Sequence, residues 1–130
     1  MTITTINNAG FFISGKFTDK TVTVPATTTL LKGTVLGEII TSGKLLKCAA
    51  ASTDGSQVPT YVLAQDVTNA TEASVDFSNV RVLREGEIDS TKLIFSGAET
   101  VNTSVASEGT MGTLLKRSGI LVYNVQSIVS

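Results

Sequence analysis

The chain of 130 residues contains no histidine and no tryptophan, a single cysteine and two prolines. Each shortage removes a class of chemistry. Without histidine, Ser-His-Asp and Cys-His catalytic arrangements cannot be assembled, and no side chain titrates near neutrality at its ordinary pKa. Cys48 alone can neither close an intramolecular disulfide nor build a zinc site, so it reads as a buried thiol in a fold held by packing. Aromatic residues are only 5% of the chain against 42% hydrophobic. The core must therefore come from Val, Ile, Leu and Ala, which favours strands and leaves little to line an aromatic ligand cleft. No apolar run reaches the eighteen or so residues that span a bilayer, and MTITTINNAGFFISG lacks a basic leader and a continuous apolar core. The expectation is a soluble, unexported protein that makes no use of a membrane.

Charge is also sparse and balanced. Ten basic residues face eleven acidic ones, a formal net charge of -1. The cations are scattered singly apart from Lys116-Arg117, so no stripe tracks a phosphate backbone and nucleic acid is not expected as a direct partner. Folding could still gather Lys32, Lys44, Lys47, Arg81 and Arg84 on one face.

The candidate chemical motifs have simpler explanations. Gly10 to Lys16 has the glycine and lysine spacing of a phosphate loop, but Phe17 stands where Ser or Thr would hold magnesium, and two Phe residues crowd the loop. Asp54, Asp66, Asp76, Glu85, Glu87 and Asp89 are the carboxylates available for acid-base work. Asp54-Gly55 reads as a turn pair and Asp66 as a strand end, while Glu85, Glu87 and Asp89 read as a polar turn around Gly86. Their alternate spacing would suit calcium, but Arg84 opposes a cation and the remaining oxygen ligands are missing. Asn69 and Asn102 sit in glycosylation sequons of the kind that arise by chance in Thr-rich chains. No catalytic residue, cofactor, metal or small-molecule substrate is expected.

What is present is strand and turn. Thr21 to Val24 alternates and stops at Pro25. Thr34 to Ile40, Lys44 to Cys48 and Tyr61 to Val67 read as strands, with a hairpin corner at Gly43-Lys44 and a surface loop from Ala49 to Pro59. Val75 and Phe77 alternate, yet the apolar positions resume at Val80 and Val82, which predicts a bulge or turn at Ser78-Asn79. Ser90 is placed to cap one helical turn over Thr91 to Phe95. A helix opening at Ser107, with Met111, Leu114 and Leu115 at helical spacing, ends at Gly119. Ile120 to Val129 reads as a final docked strand.

Met1 to Gly15 carries no charge. It reads as a disordered terminus, an internal strand, or an arm that adds to the edge of a partner's sheet, and the resemblance described next is what favours the third.

The succession GTVLGEI, SGKLLKC, an Ala/Ser/Thr spacer closing in TDGSQVP, and then YVLAQDV resembles the head decoration proteins of tailed bacteriophages, of the phage lambda type. Weaker echoes continue at REGEIDSTKL and LLKRSGILV, so the resemblance covers roughly the last hundred residues and leaves out the first thirty. It implies a homotrimer at three-fold and quasi-three-fold positions on the outside of the expanded head, reinforcing the shell against packaged DNA. The partners it implies are the major capsid protein and the chain's own copies, with synthesis in the host cytoplasm and residence in the virion. It also implies an N-terminal arm that engages the shell. Chemistry rather than motif puts Ile3, Ile6, Phe11, Phe12 and Ile13 in that arm.

The expected fold is mainly β (α+β): a single compact domain over 21–130 of short strands, tulip- or barrel-like, with one or two short helices. An extended arm, disordered or not when free, is expected over 1–20. The rival readings are a β-barrel module for a small ligand or polysaccharide, another virion module such as a tail or fibre part, and a hydrolase using paired carboxylates.

Overall fold

The structure is a computed structural model that describes residues 12–105 and 108–123. Its strands are β1 (Phe12–Val24), β2 (Thr28–Leu30), β3 (Val35–Glu38), β4 (Leu45–Lys47), β5 (Pro59–Leu63), β6 (Val67–Asn69) and β7 (Val75–Asp89). A 3-10 turn (Ser90–Lys92), β8 (Ser104–Val105), β9 (Gly109–Thr110), helix α1 (Met111–Ser118) and β10 (Ile120–Tyr123) complete it. The order β1-β4-β3-β5-β7 closes on itself through a β1–β7 pairing, giving a five-stranded barrel with β10 added alongside β7. The mainly β, barrel-like fold expected from the sequence is the one found.

The apolar runs are continuous because the sheet is buried on both faces, which strict alternation does not allow. Adjacent residues point to opposite sides of a strand. Accordingly Leu36, Leu63 and Val82 join Val22, Val24, Leu45 and Val80 in one cluster, to which all five barrel strands contribute. Their neighbours Val35, Val62 and Leu83 join a second cluster with Cys48, Ile88, Val105, Met111, Leu114, Leu115 and Ile120. The first fills the barrel, and the second lies between the outside of β3-β5-β7 and α1. No aromatic side chain is fully buried among the described residues.

The long β1–β7 ribbon is bent by extra residues. Lys20 faces Val80 while Val22 faces Phe77, so β7 carries one surplus residue at Ser78-Asn79, where Asn79 adopts φ 57. That is the predicted bulge. A second surplus falls at Arg84, between the pairs Lys16/Glu85 and Phe17/Leu83, and a third at Ile13 in β1. Bulges increase local twist and curl a ribbon toward closure.

Several local expectations shift. Tyr61 to Val67 divides into β5 and β6, because Asp66 turns out to accept the Lys32 N–H at 2.8 Å. The acidic stretch around Gly86 is not a turn: it lies inside β7, with Gly86 opposite Gly15 on one side and Ile120 on the other. Gly15 and Lys16 are likewise strand residues with no following helix, which removes the phosphate-loop reading. The 3-10 turn starts one residue earlier than expected and is capped by Asp89, which accepts the Thr91 N–H at 3.0 Å. Helix α1 is capped by Thr110 rather than Ser107, which lies outside the described residues. Its end is as expected: Gly119 at φ 102 donates its N–H to Leu115 and Lys116.

Asn69 joins the far end of β1 to the β2–β6 pair. Its buried amide donates to the carbonyls of Val24, Pro25 and Ala73 at 2.9, 3.0 and 2.9 Å, while its oxygen accepts from Thr71 N–H and Oγ1 at 2.9 and 2.6 Å. Five bonds leave the side chain saturated and 2% exposed, so the sequon asparagine is a structural latch. Asn69→Ala is expected to destabilise by about 2–4 kcal/mol, because it removes the partner of the buried Val24 carbonyl together with the bonds to Pro25, Ala73 and Thr71. Urea unfolding measures this.

Candidate functional site

One end of the molecule gathers the parts that an assembly protein can use. There β7 is flanked by β1, which runs antiparallel to it, and by β10, which runs parallel. Phe12 stands opposite Ile88 and Tyr123 beside Asp89. Strand direction therefore puts Phe12, the start of β1, and Tyr123, the end of β10, at the same end of β7 and on either side of it. The thirteen residues of β1 pair with β7 from Phe12 to Val24, so whatever precedes Phe12 is tethered to a strand held along its whole length.

The sequence-predicted arm residues divide. Phe12 opens β1 and Ile13 is its bulge residue, whereas Ile3, Ile6 and Phe11 lie outside the described residues. Residues 12–20 are part of the barrel ribbon, so a boundary after residue 20 falls inside a strand. Sequence reading did see the alternation at Thr21 to Val24. It missed the nine residues before because their pairing partner lies about sixty positions away.

Of the carboxylates available for acid-base chemistry, Asp54, Asp66, Asp76, Glu85 and Asp89 each have a hydrogen-bond or ion-pair partner. Asp54 accepts from Ser56 N–H and Oγ at 3.0 and 2.6 Å, and these bonds hold its pKa below the usual value. Glu85 lies 3.3 Å from Arg84 and 4.0 Å from Lys16. Asp76 accepts from Thr23 Oγ1 at 2.6 Å and lies 2.6 Å from Lys44 Nζ. Of the five cations that might have formed a basic face, Lys44, Arg81 and Arg84 are each matched to a carboxylate: Asp76, Asp19 and Glu85. These exposed pairs set charge pattern more than stability. The barrel interior is packed with aliphatic side chains, which leaves the ligand-module reading without a lumen. Among the described residues no group of three metal-ligating side chains forms and no helix is long and apolar enough to cross a membrane. Cys48 is fully buried, and that burial, reinforced by Glu99, pushes its pKa up to about 12.

Lys44 and then Thr23 hold the Asp76 carboxyl below its ordinary 3.8. A depressed folded value means that the stabilisation is present above the unfolded value and is lost as pH falls through the folded one. Asp76→Asn is therefore expected to shrink the stability lost on acidification, in a window beginning near 3.8 and extending below it. Urea unfolding at about pH 6 and about pH 3 reads this directly; an unchanged acid loss would rule Asp76 out as a contributor.

The family model for bacteriophage lambda head decoration protein D matches residues 4–114. The chain belongs to that head decoration protein family. No match was found among curated protein sequences. The decoration-protein match starts at Thr4 and stops at Leu114, so it takes in residues 4–30, which the resemblance had left out. It stops where the LLKRSGILV echo begins. Membership makes this a structural protein of the phage capsid, resident in the virion and built to bind the head.

Proposed function

We propose that the protein binds as a homotrimer to three-fold positions on the outer surface of the expanded head. There it stabilises the shell against the pressure of packaged DNA and engages the major capsid protein through residues 1–11. The DNA is not touched. The observation that supports the arm is the anchoring of β1: its first residue already pairs with Ile88, so the uncharged segment before it is tethered to a fixed strand at one end of the barrel. Backbone pairing with a sheet edge supplies affinity for such a segment, and the alternate side chains supply fit.

Magnitudes favour three arms over one. Ordering a segment costs about 1–2 kcal/mol per residue in backbone entropy. Strand pairing and burial of Ile3, Ile6 and Phe11 must offset that cost, so a single arm binds weakly. Three arms on one body gain avidity of roughly a hundredfold or more where the geometry permits simultaneous engagement. Phe12 and Ile13 form the lead-in, since both already belong to β1.

The test is co-sedimentation of the full chain with expanded and unexpanded heads, with solution mass measured alongside. Saturable binding of a trimer to expanded heads alone is the expected result. Binding to neither shell overturns the reading.

A further inference from the structure

Among the described residues two large apolar side chains stand exposed, Leu31 at 50% and Ile40 at 81%. They lie toward opposite ends of the barrel. Strand β3 is antiparallel to β5, which is antiparallel to β7, so β3 and β7 run the same way. Since β7 runs toward the end where Ile88 faces Phe12, the turn that follows β3 lies at that end too, and Ile40 is in it. Leu31 precedes β3, and its neighbour Lys32 is bonded to Asp66 beyond the finish of β5, at the other end.

The turn that carries Ile40 is held on all sides. The Ile39 N–H donates to the Lys44 carbonyl at 2.9 Å, the Gly43 N–H to the Ile39 carbonyl at 2.8 Å, and the Ile40 N–H to the Asp54 carbonyl at 3.0 Å. Lys44 Nζ lies 2.6 Å from Asp76 of β7, and Glu38 lies 3.7 Å from Lys20 Nζ of β1. Below the side chain is Gly55, where a Cβ would come within 2.6 Å of Ile40 Cγ1, so glycine leaves the room that isoleucine uses to stand outward. A group fixed in place loses little freedom when it is gripped, and an apolar group in water contributes to affinity only when a partner covers it.

We propose that Ile40 is a second capsid contact: a rigid apolar knob on the Ile39–Lys44 turn that enters an apolar depression of the major capsid protein. This rests on the reading that residues 1–11 meet the shell. The shell is the partner, rather than a neighbouring copy, because Ile40 shares its end of the barrel with Phe12, to which those residues are tethered, whereas copies around a three-fold axis meet at their flanks. The surroundings suit a neutral socket. Thr41 and Ser42 are exposed and uncharged, and Glu38, Lys44 and Asp54 are already bonded within the chain.

The test is competition for expanded heads among the full chain, Ile40→Ser, Ile40→Leu and Leu31→Ser, read by co-sedimentation, with the melting temperature and solution mass of each free protein. Ile40→Ser is expected to weaken head binding by about tenfold or more at unchanged melting temperature and mass, while Ile40→Leu and Leu31→Ser bind like the full chain. Equal binding by the full chain and Ile40→Ser overturns the knob and leaves the arm standing. Weakening by Leu31→Ser or Ile40→Leu as large as that by Ile40→Ser overturns it as well, since neither removes an apolar contact at that end. A lower mass for Ile40→Ser also overturns it, by giving the residue to a neighbouring copy. A full chain that binds neither expanded nor unexpanded heads removes the inference together with the reading it rests on.

Discussion

Removing residues 1–11 is expected to abolish binding to expanded heads while leaving the thermal midpoint of the protein unchanged. The cut belongs immediately before Phe12. A longer deletion through Gly15 would remove the pairs Phe12/Ile88, Ser14/Glu87 and Gly15/Gly86, and any lost binding could then be blamed on a damaged barrel. Ile3→Ser/Ile6→Ser/Phe11→Ser offers a gentler version. Each apolar side chain buried at an interface is worth about 1.5–3 kcal/mol, so losing three should weaken one arm by more than about a hundredfold. Co-sedimentation with purified heads, beside calorimetric melting of the free protein, separates the two effects. Retained binding by the deletion would sink the arm and send the search for the contact surface to the barrel itself.

The largest expected stability change is at Gly37. An added Cβ there would fall 2.6 Å from the carbonyl carbon and 2.7 Å from Cα of Ser56, well inside van der Waals contact. Backbone must then move, and this backbone is held. Asp54 fixes Ser56 through two bonds, Gln57 Oε1 accepts the Gly55 N–H at 2.8 Å, and the Asp54 carbonyl accepts the Ile40 N–H at 3.0 Å. Gly37 itself pairs with Leu46 and Pro59 in the middle of the barrel wall. Gly37→Ala is therefore expected to cost about 3 kcal/mol or more, a fall of roughly 10 °C in melting temperature. Gly97→Ala provides the comparison, since nothing lies within 4 Å of a Cβ there and only its φ of 57 resists the change. That cost should be near 1–2 kcal/mol. If scanning calorimetry found Gly37→Ala the milder of the two, the close packing of β3 on the Asp54–Ser56 loop would not be a constraint.

Features governed by near neighbours in the chain were legible from the residues alone. The missing histidine and lone cysteine rule out His-dependent triads and His/Cys zinc sites. The corner at Gly43, the bulge at Ser78-Asn79 and the helix stop at Gly119 all follow from short-range sterics and from hydrophobic phase. The family was legible in the run from Gly33 to Val67, and the aliphatic core followed from composition.

What escaped depended on residues far apart in sequence. Residues 12–20 look like part of an N-terminal arm until β7, far along the chain, pairs with them. Gly86 looks like a turn until Gly15 and Ile120 flank it in a sheet. Asn69 looks like one more polar loop residue until the carbonyls of Val24, Pro25 and Ala73 converge on its amide. A groove beside β10 is lined by α1 and by Val101 and Asn102, which the sequence alone does not bring together. Local sequence determined which segments become strands and where they turn, because propensity and sterics act over a few residues. Only the tertiary structure decided which strands pair and at which end of the barrel β1 begins and β10 ends, because those follow from closing a barrel between distant parts of the chain.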